Sequence, residues 1–214
     1  MAEGTLRVML IDDHAVVRMG FRLLIEGTAD IRVVAEAESG EDACQRYAEA
    51  RPDVVVLDLS MPGMGGLDVI ARLLAKDPGA RVLVLSAHDD IIHPQRALRA
   101  GALGYLSKRS APDVLIAAIR QVAHRKTYLE PEIAQRVAVR QIAGDKGPVD
   151  VLTPREFSVF LALAKGETVA GIAETMSLSP RTVGTHLYSI KHKLGAANSA
   201  ELTLIAIRSR LIEP

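Results

Sequence analysis

Four short apolar runs in this chain each end on a polar or charged residue, and none of them alternates. Residues 6–11 lead into Asp12 and Asp13, residues 54–57 into Asp58, residues 81–85 into Ser86, and residues 104–107 into Lys108. An unbroken apolar run reads as a strand buried on both faces, and such strands belong to a parallel sheet covered by helices. In sheets of that kind ligands bind outside the carboxyl ends of the strands. Three carboxylates, a hydroxyl and an ammonium are therefore expected to converge on one rim.

Between these runs lie segments of helical spacing at 15–26, 40–50, 67–75, 91–100 and 112–125, with a further strand at 31–37. Five strands alternating with five helices predict a three-layer α/β fold, with the flavodoxin-like strand order as the natural arrangement at this size. The strand signals stop near residue 125. Residues 126–149 read as a linker with a helical segment at 132–142, and Gly144-Asp145-Lys146-Gly147-Pro148 has the turn residues of a join. From Thr153 onward the pattern is all helical. The expected domains are thus 1–125 and 150–214.

With 214 residues, 49% of them hydrophobic, two packed cores are within reach. The 26 basic and 26 acidic side chains cancel, so no global field points to a nucleic acid or a membrane. Cys44 is the single cysteine and cannot form an internal disulfide; it reads as a small buried apolar residue. The first strand begins with no basic leader and apolar stretch before it, which predicts no secretory signal. No apolar run is long enough to span a bilayer. The expectation is a cytoplasmic chain with no membrane partner.

Asp12, Asp13 and Asp58 in one crevice would repel one another, and a hard divalent cation removes that cost. Mg²⁺ suits a few carboxylates supplemented by waters and phosphate oxygens. Lys108 supplies a point charge and Ser86 a hydroxyl donor for added phosphoryl oxygens. One carboxylate could then take up a phosphoryl group as a nucleophile. Asp58 is the best placed, being the lone acid at the tip of the most apolar strand. Any one of these residues alone is most simply a turn-favouring polar residue after a strand; five on four strand ends are hard to ascribe to chance.

Residues 5–125 resemble the receiver domain of bacterial response regulators. The resemblance rests on Asp12-Asp13-His14, on Asp58-Leu59-Ser60-Met61-Pro62 with Gly65-Gly66, on Ser86-Ala87 and on Lys108. It implies that Asp58 is the phosphoacceptor, and that Asp13, Asp58 and the Ser60 backbone carbonyl hold Mg²⁺ with Asp12 acting through water. It implies that Ser86 and Lys108 bind the phosphoryl oxygens and that small Ala87 leaves the site open. Tyr105 falls at the family's aromatic switch position, although on composition it is an ordinary strand aromatic. Ser60 and His88 lie where the family tunes water attack on the acyl phosphate.

In the second half, Thr153-Pro154-Arg155-Glu156 is a capping box with proline in the first turn. A helix follows to Lys165 and a short one spans 169–176. Ser179 caps a third helix with Pro180 in its first turn. That helix carries Val183, Leu187, Ile190 and Leu194 on one face, with Arg181, Thr185, Tyr188, Ser189 and His192 opposite and Lys191 and Lys193 flanking. A last helix runs over 199–211. A short helix, a tight turn and a helix with a polar outer face is helix-turn-helix geometry, which small helical bundles share. From 149 to 214 there are seven Lys/Arg and six Asp/Glu, a weak excess; but Arg181, Lys191 and Lys193 gather on the third helix with no acid between them.

Residues 150–214 resemble the LuxR-type helix-turn-helix. The matches are Leu152-Thr153-Pro154-Arg155-Glu156, Ile172-Ala173, Leu178 through Val183, His186, Ile190, Lys193-Leu194 and Glu201; Gly184 and Ser158 depart from it. Together the halves resemble a NarL/FixJ-type response regulator. That implies phosphorylation by a sensor histidine kinase and sequence-specific binding of double-stranded DNA. It also implies homodimerisation when active and contact with RNA polymerase, with no enzymatic activity beyond self-phosphotransfer and autodephosphorylation. Arg181, Thr182, Thr185, His186, Tyr188, Ser189, Lys191 and Lys193 are the candidate DNA contacts. Two rival readings compete with this one. A Mg²⁺-dependent aspartyl phosphatase places a second acid two residues after its nucleophile, where this chain has Ser60. A receiver fold that works without phosphate would not need the acidic rim.

Overall fold

A computed structural model of the chain describes residues 5–87, 92–143, 148–209 and 211–212. Two of the expectations above, His88 and the join at 144–147, lie outside them. The chain divides into two compact units, residues 1–139 and residues 140–214.

The first unit is built on a parallel sheet. Its strands are β1 (Leu6–Ile11), β2 (Ile31–Ala37), β3 (Val54–Asp58), β4 (Val82–Ser86), β5 (Gly104–Ser107) and β6 (Tyr128–Leu129), in the order β2-β1-β3-β4-β5-β6. The first five follow the flavodoxin-like order. The helices are α1 (Ala15–Glu26), α2 (Gly40–Ala50), α3 (Gly66–Lys76), α4 (Ile92–Arg99) and α5 (Pro112–Ala123). The unbroken apolar runs are explained by two cores. Met9, Ile11, Val55, Leu57, Val82 and Val84 face one, with α2, α3 and α4; Val8, Leu10, Val54, Val56, Leu83 and Leu85 face the other, with α1 and α5. Successive residues of a strand thus enter opposite cores, and neither face is left for a polar side chain. Cys44 is buried and unpaired by any disulfide, as its helical setting implied.

The sheet runs further along the chain than the expected end at residue 125. Tyr128 and Leu129 pair in parallel with Gly104 and Tyr105, adding the sixth strand. The expected helical segment follows as α6 (Pro131–Ala143), whose Ile133 and Val137 are buried in the core beside the sheet. Helix α1 shows a second difference. Ile25 is its fully buried residue, while Val16, Met19 and Leu23 are exposed, at 83%, 62% and 69%.

The second unit is helical in its described residues: α7 (Pro148–Val151), α8 (Pro154–Ala164), α9 (Val169–Thr175), α10 (Pro180–Leu194) and α11 (Ser199–Arg208). Local chemistry sets the ends. Thr153 and Glu156 form the capping box at α8, Thr168 caps α9, Ser179 caps α10 and Asn198 caps α11. Gly195 stops α10 in the left-handed conformation at φ 67°. The core contains Phe157, Phe160, Ile172, Val183, Ile190 and Leu202, all at most 3% exposed. Leu187 and Leu194 on α10 are half-buried.

Candidate functional site

Parallel pairing brings the carboxyl ends of β1, β3, β4 and β5 to one edge. Asp58 pairs with Leu85, one residue before Ser86, and Ser86 pairs with Ser107, one residue before Lys108. The Lys108 backbone N–H donates to the Ser86 carbonyl at 2.9 Å, fixing the β5–α5 turn against β4. Gly66 sits where a Cβ would lie 2.6 Å from the Asp58 carbonyl and 2.7 Å from Leu59 Cα, so only glycine lets α3 start this close to the turn after β3.

The side chains converge at that edge. Lys108 Nζ donates to Asp12 Oδ2 at 2.6 Å and to Asp58 Oδ2 at 2.7 Å. Asp12 and Asp58 are buried, and Ser86 fully so. Burial by itself lowers the Lys108 pKa, but the hydrogen bonds to Asp12 and Asp58 outweigh it and hold the ammonium above its ordinary value. The remaining oxygens are held by backbone N–H groups: Ser60 N–H donates to Asp58 Oδ1 and His14 N–H to Asp12 Oδ1. Asp13 completes the cluster. Its Oδ1 is buried and, among the described residues, finds no hydrogen-bond partner. An oxygen in that state beside two further carboxylates fits a hard cation, whose shell is made of oxygen atoms. Ligand atoms of Asp12, Asp13, His14 and Asp58 all lie within 4.8 Å of one another, close enough to share an ion. Tyr105, at the proposed switch position, is fully buried.

The second candidate site is the outward side of α10. Tyr188 is 76% exposed, and Arg181 and Thr185 are exposed as well. Thr182 is half-buried, its hydroxyl engaged with Ser179 at the helix start, and the Thr185 hydroxyl donates back to the Arg181 carbonyl. His186 and Lys191 are half-buried. Two of the expected DNA contacts are turned elsewhere. Ser189 Oγ donates to Glu156 Oε1 at 2.6 Å, and Lys193 Nζ lies 2.9 Å from Oε1 and 2.6 Å from Oε2 of the same carboxylate. Glu156 is 5% exposed. Burial would raise its pKa; the bonds from Lys193, Ser189 and Thr153 prevail and bring it down to about 2.

Sequence reasoning found the cap that Glu156 makes but not the two partners, which stand 33 and 37 residues away. The available signal was the spacing of Ser189 and Lys193, one turn apart on the face next to a buried acid. In the sequence His14 stands only as part of a motif; its place among the carboxylates is set by the fold.

Comparison with known proteins agrees with both halves. Residues 8–120 match the response regulator receiver domain, and residues 150–206 match the luxR family of bacterial regulatory proteins. The chain is similar to the response regulator UvrY of Escherichia coli K12, 38% identical over 208 residues covering 96% of this chain and 95% of that protein. It is similar to the response regulator GacA of Pseudomonas aeruginosa, 35% identical, with 97% and 98% covered. Among solved structures it resembles RcsB of Salmonella enterica serovar Typhimurium bound to promoter rprA in the presence of the phosphomimetic BeF3−. There the identity is 26% and the TM-score 0.67, over 94% of this chain and 98% of that one. Among the described residues, no helix is long and apolar enough to cross a membrane.

Proposed function

The chain belongs to the NarL/FixJ-type response regulators, two-component transcription regulators with a receiver and a LuxR-type DNA-binding domain, and from that premise we propose how its residues divide the work. A sensor histidine kinase donates a phosphoryl group to Asp58. Asp13, Asp58 and the Ser60 backbone carbonyl hold Mg²⁺, with Asp12 acting through water. When bound, the ion offsets repulsion between the carboxylates and the incoming phosphoryl oxygens. The observation that carries the reading is Lys108: its ammonium already bridges Asp12 and Asp58, and can turn to a phosphoryl oxygen once Asp58 carries the acyl phosphate. Ser86 donates its hydroxyl to another oxygen, and Tyr105 is the aromatic that responds. Self-phosphotransfer and autodephosphorylation are the only chemistry, and the chain works in the cytoplasm. The phosphoacceptor work falls to residues 1–125 and DNA binding to 150–214; between them β6 and α6 extend the receiver's sheet and core.

Phosphorylation shifts an equilibrium between two conformations of the receiver and favours a homodimer that grips two DNA half-sites and contacts RNA polymerase. Thr185 and Tyr188 read base edges, with His186 and Thr182 beside them, while Arg181 and Lys191 take phosphates. The promoter complex of RcsB with a phosphomimetic supports this coupling of receiver and DNA.

The test is operator affinity with and without a small phosphodonor. Phosphorylation is expected to tighten binding by the wild type, and Lys108→Ala and Ser86→Ala are expected to lose much of that gain. Variants that gain as fully as the wild type would remove Lys108 and Ser86 from the response. An affinity indifferent to phosphodonor would favour a phosphate-independent regulator.

Gly184 offers a second expectation. It is exposed in α10, and a Cβ there would meet nothing within 4 Å. Glycine inside a helix costs roughly 1 kcal/mol relative to alanine. Gly184→Lys should therefore raise stability by a comparable amount and add a phosphate contact, steepening the salt dependence of binding to random duplex by about 0.9. Titrations at several salt concentrations read this out; weaker operator binding by the lysine variant would mean that DNA needs the bare backbone.

A further inference from the structure

His14 is an unusual residue to begin a helix. It occupies the N-cap of α1, where Ser, Thr, Asp or Asn would accept a hydrogen bond from the first turn, yet its side chain makes no such bond. The ring leans over the acidic rim instead. Nδ1 lies 2.9 Å from Asp13 Oδ1 and 3.5 Å from Asp12 Oδ1. Despite that approach, Asp13 Oδ1 has no hydrogen-bond partner among the described residues. The backbone cannot carry the ring far, because His14 N–H is bound to Asp12 Oδ1 at 2.8 Å.

These distances fit two ligands on neighbouring corners of one ion. Metal bonds of about 2.1 Å at right angles put adjacent ligand atoms about 3.0 Å apart and opposite ones about 4.2 Å apart. The 2.9 Å between Nδ1 and Asp13 Oδ1 matches the shorter edge. The 4.8 Å span of the whole group needs only a small contraction. The sheet supplies carboxylate oxygens, and the start of α1 supplies nitrogen from its solvent side, where the His14 side chain is 65% exposed.

We infer that His14 is a ligand of the receiver cation and shifts the site toward the later first-row transition-metal ions, such as Ni²⁺, relative to Mg²⁺. The inference rests on reading the acidic rim as a cation site. Mg²⁺ gains little from a nitrogen donor and keeps oxygen ligands. Imidazole suits the later first-row ions, whose affinity for a mixed nitrogen and oxygen site rises along the series. Losing His14 should therefore change the ratio of affinities more than the Mg²⁺ affinity itself.

The experiment is calorimetric titration of the untagged full-length chain with Ni²⁺ and with Mg²⁺, counting only the Ni²⁺ binding that Mg²⁺ displaces. His14→Gln, on an exposed side chain, is expected to weaken Ni²⁺ binding by no less than the roughly 10-fold at which the loss of an outer-shell partner begins to tell. Its Mg²⁺ affinity should stay close to the wild-type value. Pulsed electron paramagnetic resonance of the Mn²⁺-loaded wild type should show coupling to an imidazole nitrogen that His14→Gln lacks. Asp13→Asn separates the two claims. If the wild type binds Mg²⁺ and Asp13→Asn does not, the acidic site stands; a His14→Gln variant with an unchanged Ni²⁺ to Mg²⁺ ratio then overturns the role of His14 and leaves an ordinary histidine–aspartate contact. A Mn²⁺ spectrum without nitrogen coupling overturns it as well. A wild type that binds neither ion overturns both.

Discussion

Incubated with a small-molecule phosphodonor and Mg²⁺, the wild-type chain is expected to gain the mass of a phosphoryl group, and Asp58→Asn is expected to gain none. Asp58 is 2% exposed at the end of β3, with Oδ2 on the Lys108 ammonium and Oδ1 on the Ser60 N–H. In the transfer, an Asp58 oxygen bonds to phosphorus while the donor's bond to phosphorus breaks and its electron pair leaves with the donor. A carboxamide of the same shape has no anionic oxygen to offer. The substitution should not unfold the receiver, since Lys108 keeps Asp12 as partner. The contrast between the two proteins therefore reports chemistry and not lost structure. Chelation should suppress uptake by the wild type, because the phosphoryl oxygens would otherwise add charge to a crevice already holding three carboxylates. Intact mass measures both. Equal uptake by Asp58→Asn, or uptake indifferent to chelator, would remove Asp58 or the cation from the reaction; steady turnover of phosphate esters would revive the phosphatase reading.

The rim was legible in the sequence because its logic is one-dimensional. A strand buried on both faces shows as an unbroken apolar run, its carboxyl end shows as the first polar residue, and parallel pairing gathers those ends. Asp12, Asp58, Ser86 and Lys108 needed no more than that. The caps of the second unit were legible for the same reason, since Thr153, Ser179 and their partners lie three residues apart. What depended on three dimensions was not legible. Tyr128-Leu129 is too short to register as a strand, and only the free edge of β5 makes it one. Helix α1 is apolar on more than one face, so spacing revealed a helix but not that Val16 and Leu23 would stay exposed. The outer face of α10, drawn from its own periodicity, did not reveal that Ser189 and Lys193 bond to Glu156, because that buried acid belongs to α8.

That acid carries the largest expected effect on stability. Glu156→Ala removes the acceptor for the Thr153 N–H and for Ser189 Oγ and strips Lys193 of its counter-ion. Breaking a buried pair costs about 3–5 kcal/mol, but the Lys193 side chain is 35% exposed and can turn to water, so a loss of about 2–4 kcal/mol is expected. Hydrogen exchange of the α8 and α10 amides in the full chain measures it. Acid should act on the wild type in the same way. The Glu156 pKa falls from an ordinary 4.5 to about 2 on folding, so its contribution is complete above the unfolded value. It is lost as pH falls from about 5 toward 2, where the unfolded chain binds the proton more readily than the folded one. A shift of that size is on the order of 3 kcal/mol, less what solvent takes at Lys193. Glu156→Gln keeps one acceptor oxygen for the Thr153 N–H, turns an amide N–H toward the Ser189 hydroxyl and removes the charge, and should flatten this acid limb. Lys193→Ala decides what the lysine is for. Held by Glu156, it should cost stability and leave the salt dependence of DNA binding unchanged. A phosphate contact would instead flatten that dependence by about 1 and leave stability alone. A flattened slope with unchanged protection of α8 and α10 would return Lys193 to the DNA interface.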